Sequence, residues 1–417
     1  MKAAFLTLGC KLNYAETSTY ERGFIDAGYE VVPWSKGADL YLINTCAVTE
    51  TSEKKSRSLI RKVHRVNPDA AIVVTGCYAQ LRAEEIAAIE GVVRVFKADE
   101  KALVVPETLR LTGVKPVSDP IEEDLKGSFA AYSTGERTRS FLKVQDGCDN
   151  YCAYCTVPYA RGESRNTPIC EVVKHAEAIA ATGAKEIVLT GVNTGDFGRT
   201  TGENFLDLLK ALDKVEGIER YRISSIEPNL ITEEIVDWIA SGTKVLPHFH
   251  IPLQTGSDIQ LRRMGRKYDT AFFADRLAYI RSKMEGPGKL KVFFGIDVMV
   301  GLPGETEELF MDTYRFIESV RPAFIHVFPY SRRPGTPAAE MPDQVSEEVK
   351  KERVAKLEEL CARLHESFTE ENRGLRSKVL FESKEKDGGM SGFTENYIKV
   401  TIPYDPAKSG KIVEVEI

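Results

Sequence analysis

The sequence predicts an α/β protein with three parts: an open parallel α/β sheet, a partial barrel of six β/α units and a small β-barrel. Apolar runs of strand length alternate with helix-like segments, first over residues 1–125 and again over 134–366. Over residues 367–417 the pattern changes to short alternating runs. A chain of 417 residues also exceeds what one hydrophobic core supports, since single cores stop growing at roughly 250–300 residues.

Residues 1–125 contain strand-like runs that lead into cysteines. KAAFLTL precedes Cys10, DLYLINT precedes Cys46 and AIVVTG precedes Cys77, while the basic stretch 51–66 has helical spacing. The carboxyl ends of parallel strands line one crevice, so we expect these three cysteines, the N-terminal triplet, to converge. The alternative is three separate buried thiols, because free cysteine packs as a small apolar residue.

The second part contains the alternation expected of a parallel barrel. Pro116, Pro120, the acidic run 122–124 and Gly127 indicate a linker before it. Its expected strands are 140–145, 185–190, 220–226, 248–253, 292–299 and 324–328. Polar or glycine residues follow several of these strands, and in parallel βα barrels the chemistry gathers at that carboxyl-terminal rim.

The third part, residues 367–417, follows a long charged helix that we predict over 346–373. The runs KVLFES, NYIKVTI and KIVEVEI predict a small β domain. It carries eight Lys or Arg against nine Asp or Glu, so its composition does not by itself indicate a phosphate-binding surface.

Composition narrows the class of protein. The net charge of −6 gives no overall signature of a nucleic-acid binder, and no apolar run reaches the ~18 residues of a membrane helix. The first residues are typical of a β-strand rather than a signal peptide, which predicts a cytoplasmic protein without a membrane partner. Thiols stay reduced in the cytosol, so the eight cysteines indicate metal ligation or catalysis rather than disulfides.

Three cysteines lie within eight residues after the first barrel strand: Cys148, Cys152 and Cys155, the 148–155 triplet. Three thiolates supply three ligands to a four-iron cubane and leave the fourth iron open. A structural zinc site usually takes four ligands, and no fourth Cys or His is close in sequence. A ferredoxin-type cluster needs four cysteines at another spacing. The C-x3-C-x2-C spacing therefore favours an iron–sulfur cluster with an open iron.

With Tyr154 before its third cysteine, this spacing resembles the radical S-adenosylmethionine superfamily. The resemblance implies that the open iron chelates the methionine moiety of S-adenosylmethionine, and that one electron then yields a 5′-deoxyadenosyl radical. It also implies cofactor contacts from the barrel rim, with Arg266 available for the cofactor's carboxylate. The expected contact residues are Tyr154, Thr190, Asn193, Glu227, Gln254, Arg266 and Asp297. The alternative is that these residues only form turns and helix caps, which use the same residue types.

The segments TLGCKLNYAET, LINTCAVTE and VVTGCYAQ, followed by the 148–155 triplet and VPYARGESRN, resemble the methylthiotransferases over nearly the whole chain. The resemblance implies a second, auxiliary [4Fe-4S] cluster on Cys10, Cys46 and Cys77. One S-adenosylmethionine then methylates a sulfur species on that cluster. A second S-adenosylmethionine supplies the radical that removes a hydrogen from the substrate.

Three branches of that family differ in substrate: isopentenyladenosine in tRNA, threonylcarbamoyladenosine in tRNA, and an aspartate of a ribosomal protein. Gly-Cys-Lys-Leu-Asn at 9–13 resembles the second branch, whereas the isopentenyl branch typically has Gln-Met before the Asn and the ribosomal branch Pro-Lys. We therefore expect conversion of N6-threonylcarbamoyladenosine at tRNA position 37 to its 2-methylthio derivative. The other branches stay open, as does the class of non-catalytic tRNA-binding or electron-carrying iron–sulfur proteins.

A basic helix over 54–65 is the expected tRNA-binding surface, because it follows the strand of Cys46 and carries six Lys or Arg. We predict contacts to the anticodon stem-loop from Lys55, Arg57, Arg61 and Lys62. The alternative is a solvated helix face. Arg161 and Arg165 follow the 148–155 triplet and are expected to reach a phosphate or the threonylcarbamoyl carboxylate, unless they pair with Glu163 or nearby acids.

The remaining candidates have structural interpretations. His248 and His250 alternate on one strand and are expected inside the barrel rather than on a metal. Cys170 and Cys361 are expected to be spare thiols. We expect a monomer, and the sequence identifies neither the sulfur donor nor the reductant.

Overall fold

The structure, a computed structural model, describes residues 1–116, 128–135, 138–382 and 387–417. The predicted linker lies outside these ranges except for Pro116. Within the described ranges, no helix combines the length and the apolar character needed to cross a bilayer.

The N-terminal part is an open, all-parallel sheet with helices on both faces, as predicted. Its strands are β1 (Lys2–Thr7), β2 (Glu30–Val31), β3 (Leu40–Thr45), β4 (Ala71–Gly76) and β5 (Val92–Val95). Its helices are α1 (Lys11–Asp26), α2 (Glu50–Val66), α3 (Cys77–Leu81), α4 (Ala83–Ala87) and α5 (Val104–Leu111). The strand order is β2-β1-β3-β4-β5, so the carboxyl ends of β1, β3 and β4 lie side by side.

The second part is a partial β/α barrel. Its strands are β6 (Ala131–Tyr132), β7 (Arg139–Lys143), β8 (Gln145–Asp146), β9 (Arg165–Asn166), β10 (Glu186–Thr190), β11 (Arg220–Ile223), β12 (His248–Gln254), β13 (Phe293–Val300) and β14 (Phe324–Pro329). Its helices are α6 (Val157–Arg161), α7 (Ile169–Ala181), α8 (Phe205–Asp213), α9 (Glu233–Ala240), α10 (Asp258–Arg263), α11 (Thr270–Met284), α12 (Glu307–Val320), α13 (Pro337–Glu340) and α14 (Glu347–Glu371).

Six parallel strands form the barrel wall in the order β7-β10-β11-β12-β13-β14, and β6 adds an antiparallel edge to β7. Single parallel bridges, Tyr221 to Val245 and Ser225 to His250, join the two halves of the wall. The six predicted strands are therefore confirmed, and they form an open barrel rather than a flat sheet.

Successive residues of each barrel strand face opposite sides of the wall. One set, which includes Leu142, Ile251 and Ile296, packs in the main apolar core with the surrounding helices. The other set faces the space inside the barrel, the lumen, and contains many polar groups, including Lys143, Arg222, His250, Asp297 and His326. A polar lumen is built for a polar ligand rather than for packing.

The third part is a four-stranded antiparallel sheet of half-barrel form, made of β15 (Arg376–Phe381), β16 (Gly389–Phe393), β17 (Lys399–Pro403) and β18 (Ile412–Glu416). Its β16–β17 loop closes the amino-terminal end of the barrel. Arg222 of β11 donates to the carbonyls of Thr394 (2.7 Å) and Glu395 (2.9 Å), and the Tyr397 ring lies 4.8 Å from that of His248. The small domain thus seals the barrel end opposite to the rim.

The predicted boundaries 1–125, 134–366 and 367–417 stay a proposal. The long helix α14 crosses the second boundary, since it continues to Glu371, and β6 pairs with the barrel although it precedes residue 134. That helix packs against β14, so it belongs with the barrel.

Candidate cluster sites and the cleft between them

The 148–155 triplet lies on the loop between β8 and α6, at the carboxyl end of the first barrel strand. The Cys148 N–H donates to the Gly162 carbonyl at 3.0 Å and fixes the start of the loop. Two backbone amides donate to sulfur: Asn150 N–H to Cys148 Sγ at 3.5 Å, and Val157 N–H to Cys155 Sγ at 3.4 Å. All eight cysteines of the chain are free thiols. Such amide contacts orient sulfur atoms that serve as metal ligands.

Arg266, on the turn after α10, reaches this loop. Its Nη1 donates to Cys152 Sγ at 3.2 Å and to the Tyr154 hydroxyl at 3.3 Å, and its Nη2 pairs with Glu227 at 2.8 Å. Both side chains of the ion pair are less than one-tenth exposed. Three of the expected cofactor contacts, Tyr154, Glu227 and Arg266, therefore meet beside the triplet, where they present one cation and one anion at a single point of the rim.

Asn193, another expected contact, supports this corner. Its Oδ1 accepts from the Glu227 N–H at 3.1 Å. Gln145 was not among the predicted residues, yet its Oε1 accepts from the N–H groups of Val192 (2.9 Å) and Asn193 (3.0 Å). Gln145 is the polar residue that ends the predicted strand 140–145, and that position was the available signal.

The other expected cofactor contacts have different surroundings. The Thr190 hydroxyl donates to the Leu142 carbonyl at 3.1 Å and so serves the sheet. Gln254 ends β12 with φ +70°, beside a register shift in the strand pair. Asp297 binds His250 at 2.8 Å inside the lumen and is not joined to the Arg266 corner. The proposed cofactor corner therefore rests on Arg266 and its partners.

The N-terminal triplet follows three neighbouring strand ends, and two glycines let these ends approach. Gly9 has φ +101°, and a Cβ built on it would lie 2.8 Å from Cys46 Cβ. Gly76, with φ +99°, approaches the Thr45 carbonyl so closely that a Cβ would lie 2.4 Å from it. Only glycine fits these positions. Cys46 and Cys77 are buried while Cys10 is exposed, and Cys10 and Cys46 both lie in the electrostatic environment of Cys77, which indicates one site that opens to solvent.

Burial raises the pKa of four of these thiols and makes them poor nucleophiles: Cys46, Cys77, Cys148 and Cys155. Burial raises the pKa of Cys77 to about 11, with Arg161 opposing the rise and the neighbouring thiols adding to it. In the 148–155 triplet, burial raises the pKa of Cys148 to about 11 and that of Cys155 to about 12. Bound iron reverses this preference, because a metal cation stabilises the thiolate. The donor set of both triplets therefore fits iron–sulfur ligation better than nucleophilic catalysis.

A buried ion network joins the sheet domain to the barrel. Lys101 and Lys143 both pair with Glu16 (2.8 Å each) and with Asp146 (3.0 and 2.6 Å), and Arg161 pairs with Asp146 at 2.8 Å. None of the five side chains is more than 4% exposed. Three cations thus face two carboxylates, and the members come from both domains. Sequence spacing could not reveal this network, because Glu16 lies 127 positions from Lys143.

The structure does not place Arg161 where the predicted tRNA contact requires it. Its side chain is buried between Asp146 and the N-terminal domain, so its charge compensates buried carboxylates and is not presented to a phosphate. Arg165 also turns inward: it donates to the Arg161 carbonyl at 2.7 Å and lies 3.5 Å from Asp146, with a fifth of its side chain exposed. The alternative of pairing with nearby acids is the one found.

Asn13 connects the two triplets. Its Nδ2 donates to the carbonyls of Leu8 (2.8 Å) and Thr45 (3.0 Å), which ties together the loops of Cys10 and Cys46. Its Oδ1 accepts from Arg161 Nη2 at 2.5 Å, at the end of the helix that follows Cys155. Asn13 is close to Cys10 in the sequence, but Arg161, the partner of Asn13, lies 148 positions away.

The basic helix α2 lies at the barrel rim. Glu53 of α2 forms a buried ion pair with Arg333, and the Glu50 N–H donates to Ser331 Oγ at 3.2 Å, just after β14. Three of the four predicted tRNA contacts on this helix are exposed: Lys55, Arg61 and Lys62. The fourth, Arg57, is engaged by the Tyr78 hydroxyl (2.8 Å) and Glu85 (3.2 Å).

His250, Asp297 and His326 lie on neighbouring barrel strands and face the lumen together. Besides the His250–Asp297 contact, the two imidazole rings stack with centroids 5.1 Å apart. One ligand atom from each of the three lies within 4.8 Å of the others. His248 is buried and stacks on Phe293 at 5.1 Å, so both predicted barrel-interior histidines lie where expected.

Known proteins resemble this chain over its whole length. The model described as uncharacterized protein family UPF0004 matches residues 2–97, and the radical SAM superfamily model matches 142–317. The threonylcarbamoyladenosine tRNA methylthiotransferase MtaB of Bacillus subtilis (strain 168) is 43% identical, covering 99% of this chain and 93% of its own. MtaB of Aquifex aeolicus (strain VF5) is 38% identical, covering 96% of both chains.

A relative with another named substrate is more distant. The tRNA-2-methylthio-N(6)-dimethylallyladenosine synthase of Pelotomaculum thermopropionicum is 34% identical over 100% of this chain and 95% of its own. Among solved structures, the radical S-adenosylmethionine methyltransferase TsrM from Kitasatospora setae shares the fold, with a TM-score of 0.58, 14% identity, and coverage of 81% of this chain and 74% of that one. The two triplets, their strand-end positions and these full-length identities agree: the chain belongs to the methylthiotransferase family of radical S-adenosylmethionine enzymes.

Proposed function

We propose that this enzyme converts N6-threonylcarbamoyladenosine at position 37 of tRNA to its 2-methylthio derivative. The observation that carries the proposal is the junction of the two triplets: Arg161, at the end of the helix after Cys155, is hydrogen-bonded to Asn13, which ties the loops of Cys10 and Cys46. A radical generated at one triplet and a sulfur delivered from the other can then act on one substrate held between them.

The cofactors are S-adenosylmethionine and two [4Fe-4S] clusters. Cys148, Cys152 and Cys155 would hold one cluster, and Cys10, Cys46 and Cys77 the other. When bound, these groups supply the electron that cleaves S-adenosylmethionine and the sulfur that replaces the substrate hydrogen. Each site would supply three thiolates, which would leave one iron of each cubane for an external ligand.

The chain's own residues bind and orient the cofactor. Arg266 is suited to the carboxylate of S-adenosylmethionine and Glu227 to its amino group, since both are buried and charged, and Arg266 contacts Cys152. Asn193 holds the Glu227 backbone and Gln145 holds the Asn193 backbone, so the corner is fixed before the cofactor arrives. Fixed polar groups lower the cost of binding.

The tRNA would lie across the rim beside α2. Lys55, Arg61 and Lys62 are exposed there, and α2 is anchored to the barrel by Glu53 and Arg333. Two exposed aromatic rings lie beside the 148–155 triplet: Tyr151 on its loop and Tyr159 on α6 meet edge-to-face at 5.9 Å. Cations for the backbone and rings for unstacked bases are what an RNA loop requires. We propose a monomer that acts in the cytoplasm, where tRNA is found.

The relatives' names support this substrate: MtaB proteins are 43% and 38% identical to the chain, and the dimethylallyladenosine synthase of Pelotomaculum thermopropionicum is 34% identical. The test is direct. The reconstituted protein is incubated with a reductant, S-adenosylmethionine and tRNA that carries either threonylcarbamoyladenosine or isopentenyladenosine. Mass spectrometry of the nucleosides should show the 2-methylthio product from the first tRNA alone. A product from isopentenyladenosine only, or from neither, contradicts the proposal.

A further inference from the structure

Helix α1 of the N-terminal domain covers the open side of the barrel. Its Tyr14 ring packs edge-on against Phe141 of β7 at 5.6 Å, and Ala15 belongs to the same apolar cluster as Phe141 and Val188. Phe141 and Val188 are lumen-facing residues of β7 and β10. The face of α1 that carries Tyr14 and Ala15 therefore looks into the lumen.

Lys11 is the first residue of α1 and lies on this same face, because residues three and four apart are neighbours on a helix surface. Its amine is in the electrostatic environment of Asp297, Arg222, Arg139 and Tyr397, all at the barrel interior. Lys11 is exposed, so water reaches its side chain in this open space. Lys11 thus projects into the space enclosed by the barrel and α1.

Among the described residues, Lys11 makes no hydrogen bond or ion pair. The other lumen cations are engaged: Arg222 by Glu186 (2.9 Å) and the carbonyls of the β16–β17 loop, and Lys143 by Glu16 and Asp146. Asp297 is engaged by His250. The charge of Lys11 is therefore not compensated by these groups and is available to an anionic ligand that enters the lumen.

The chemistry of the proposed substrate supplies such an anion. The threonylcarbamoyl group on N6 ends in a carboxylate, whereas an isopentenyl group is a hydrocarbon. In adenine, C2 and C6 flank N1, and N6 is attached to C6, so C2 and the N6 substituent lie on the same edge of the base. A base whose C2 faces the N-terminal triplet therefore extends its N6 substituent to the residues beside that triplet, and Lys11 follows Cys10 directly.

We propose that Lys11 pairs with the carboxylate of the threonylcarbamoyl group and so selects this substrate over adenosines with uncharged N6 substituents. The inference rests on the proposed function. It also replaces Arg161, whose buried ion pairs remove it from this role. A hydrocarbon substituent placed there would displace water from the ammonium without pairing it, and sites that bind a charged group reject analogues that lack it.

The test compares anticodon stem-loop RNAs that carry either threonylcarbamoyladenosine or unmodified adenosine at position 37. Wild-type protein should bind the modified RNA more tightly. In Lys11→Gln this preference should fall by about 10- to 100-fold, the value of a charge-assisted hydrogen bond, while affinity for the unmodified RNA stays the same. Lys11→Arg should retain most of the preference. The matched control is Lys2→Gln, which removes an exposed charge at the opposite end of β1.

A substrate-side change makes the test independent of folding. RNA in which the threonine carboxylate is replaced by its neutral amide should lose wild-type affinity by the same factor, and Lys11→Gln should not distinguish acid from amide. Iron content and S-adenosylmethionine cleavage without RNA should be unchanged in the variant. The inference is overturned if wild type and Lys11→Gln prefer the RNA with the carboxylate over the RNA with the amide by the same factor. If wild-type protein binds the modified RNA but leaves it unmethylthiolated, the proposed function fails separately.

Discussion

Arg161 Nη2 donates to Asn13 Oδ1 across 2.5 Å, and this contact joins α6, the helix after the 148–155 triplet, to α1, the helix after Cys10. Arg161 also carries one of three cations that compensate the buried carboxylates of Glu16 and Asp146. The relative position of the two triplets is therefore set by a buried ionic junction, where geometry is fixed by several charged hydrogen bonds at once.

Removing the Arg161 charge should destabilise this junction. We expect Arg161→Gln to lower the free energy of unfolding by about 3–5 kcal/mol, because it leaves Asp146 with less compensation in a buried site. Thermal denaturation monitored by circular dichroism measures the change. Arg199→Gln is the control, since its pair with Asp149 is largely exposed and should cost less than about 1 kcal/mol. Equal melting temperatures for the two variants would refute a structural role for Arg161.

The same network predicts the response to acid. Burial alone would raise the pKa of Glu16, but Lys101, Lys143 and Arg161 outweigh it and hold the pKa below the ordinary value. A carboxylate with a depressed folded-state pKa contributes stability above its unfolded-state pKa, and loses it as the pH falls towards the folded-state value. Wild type should therefore exceed Glu16→Gln in melting temperature at pH 7, and the gap should narrow once the pH falls below about 4.5. A gap that is constant from pH 7 to pH 3 would contradict this.

The exposed cations of α2 should bind tRNA through its phosphates. Reversing Lys55 and Arg61 to Glu should weaken tRNA binding. The plot of log affinity against log salt should also become less steep by at least about 1.4, because each lost phosphate contact removes about 0.7–0.9 from the magnitude of its slope. The matched control reverses Lys174 and Lys210, two exposed lysines on α7 and α8. Filter binding over a salt series provides both quantities. An unchanged slope in the α2 variant, or an equal loss in the control, places the tRNA elsewhere.

Much of this architecture could be predicted from the sequence because its signals are local. Each cysteine of the N-terminal triplet follows an apolar strand, and parallel strands bring their carboxyl ends to one edge. The 148–155 triplet lies within eight residues, so its convergence needs no long-range information. The six barrel strands could be recognised by the same alternation of strand and helix.

What could not be predicted depends on how the domains pack. Glu16 meets Lys143 across 127 positions, and Arg161 meets Asn13 across 148. Nothing in the local sequence of Arg161 distinguishes a buried junction residue from an exposed phosphate ligand. The direction of Lys11 likewise depends on the contact between α1 and the barrel, which only the folded chain reveals. The packing of the small β domain on the amino-terminal end of the barrel likewise depends on long-range contacts, such as that of Arg222 with the Thr394 carbonyl.

The most direct test of the two-cluster account is iron and product analysis of triplet variants. Reconstituted wild type should hold about eight irons per chain, as expected for two four-iron cubanes. The variant with Cys10, Cys46 and Cys77 replaced by Ala should hold about four, still form 5′-deoxyadenosine, and yield no methylthio product. Cys170→Ala, which removes an exposed thiol on α7, should match wild type. A triple variant that keeps about eight irons, or that still methylthiolates tRNA, would contradict the account.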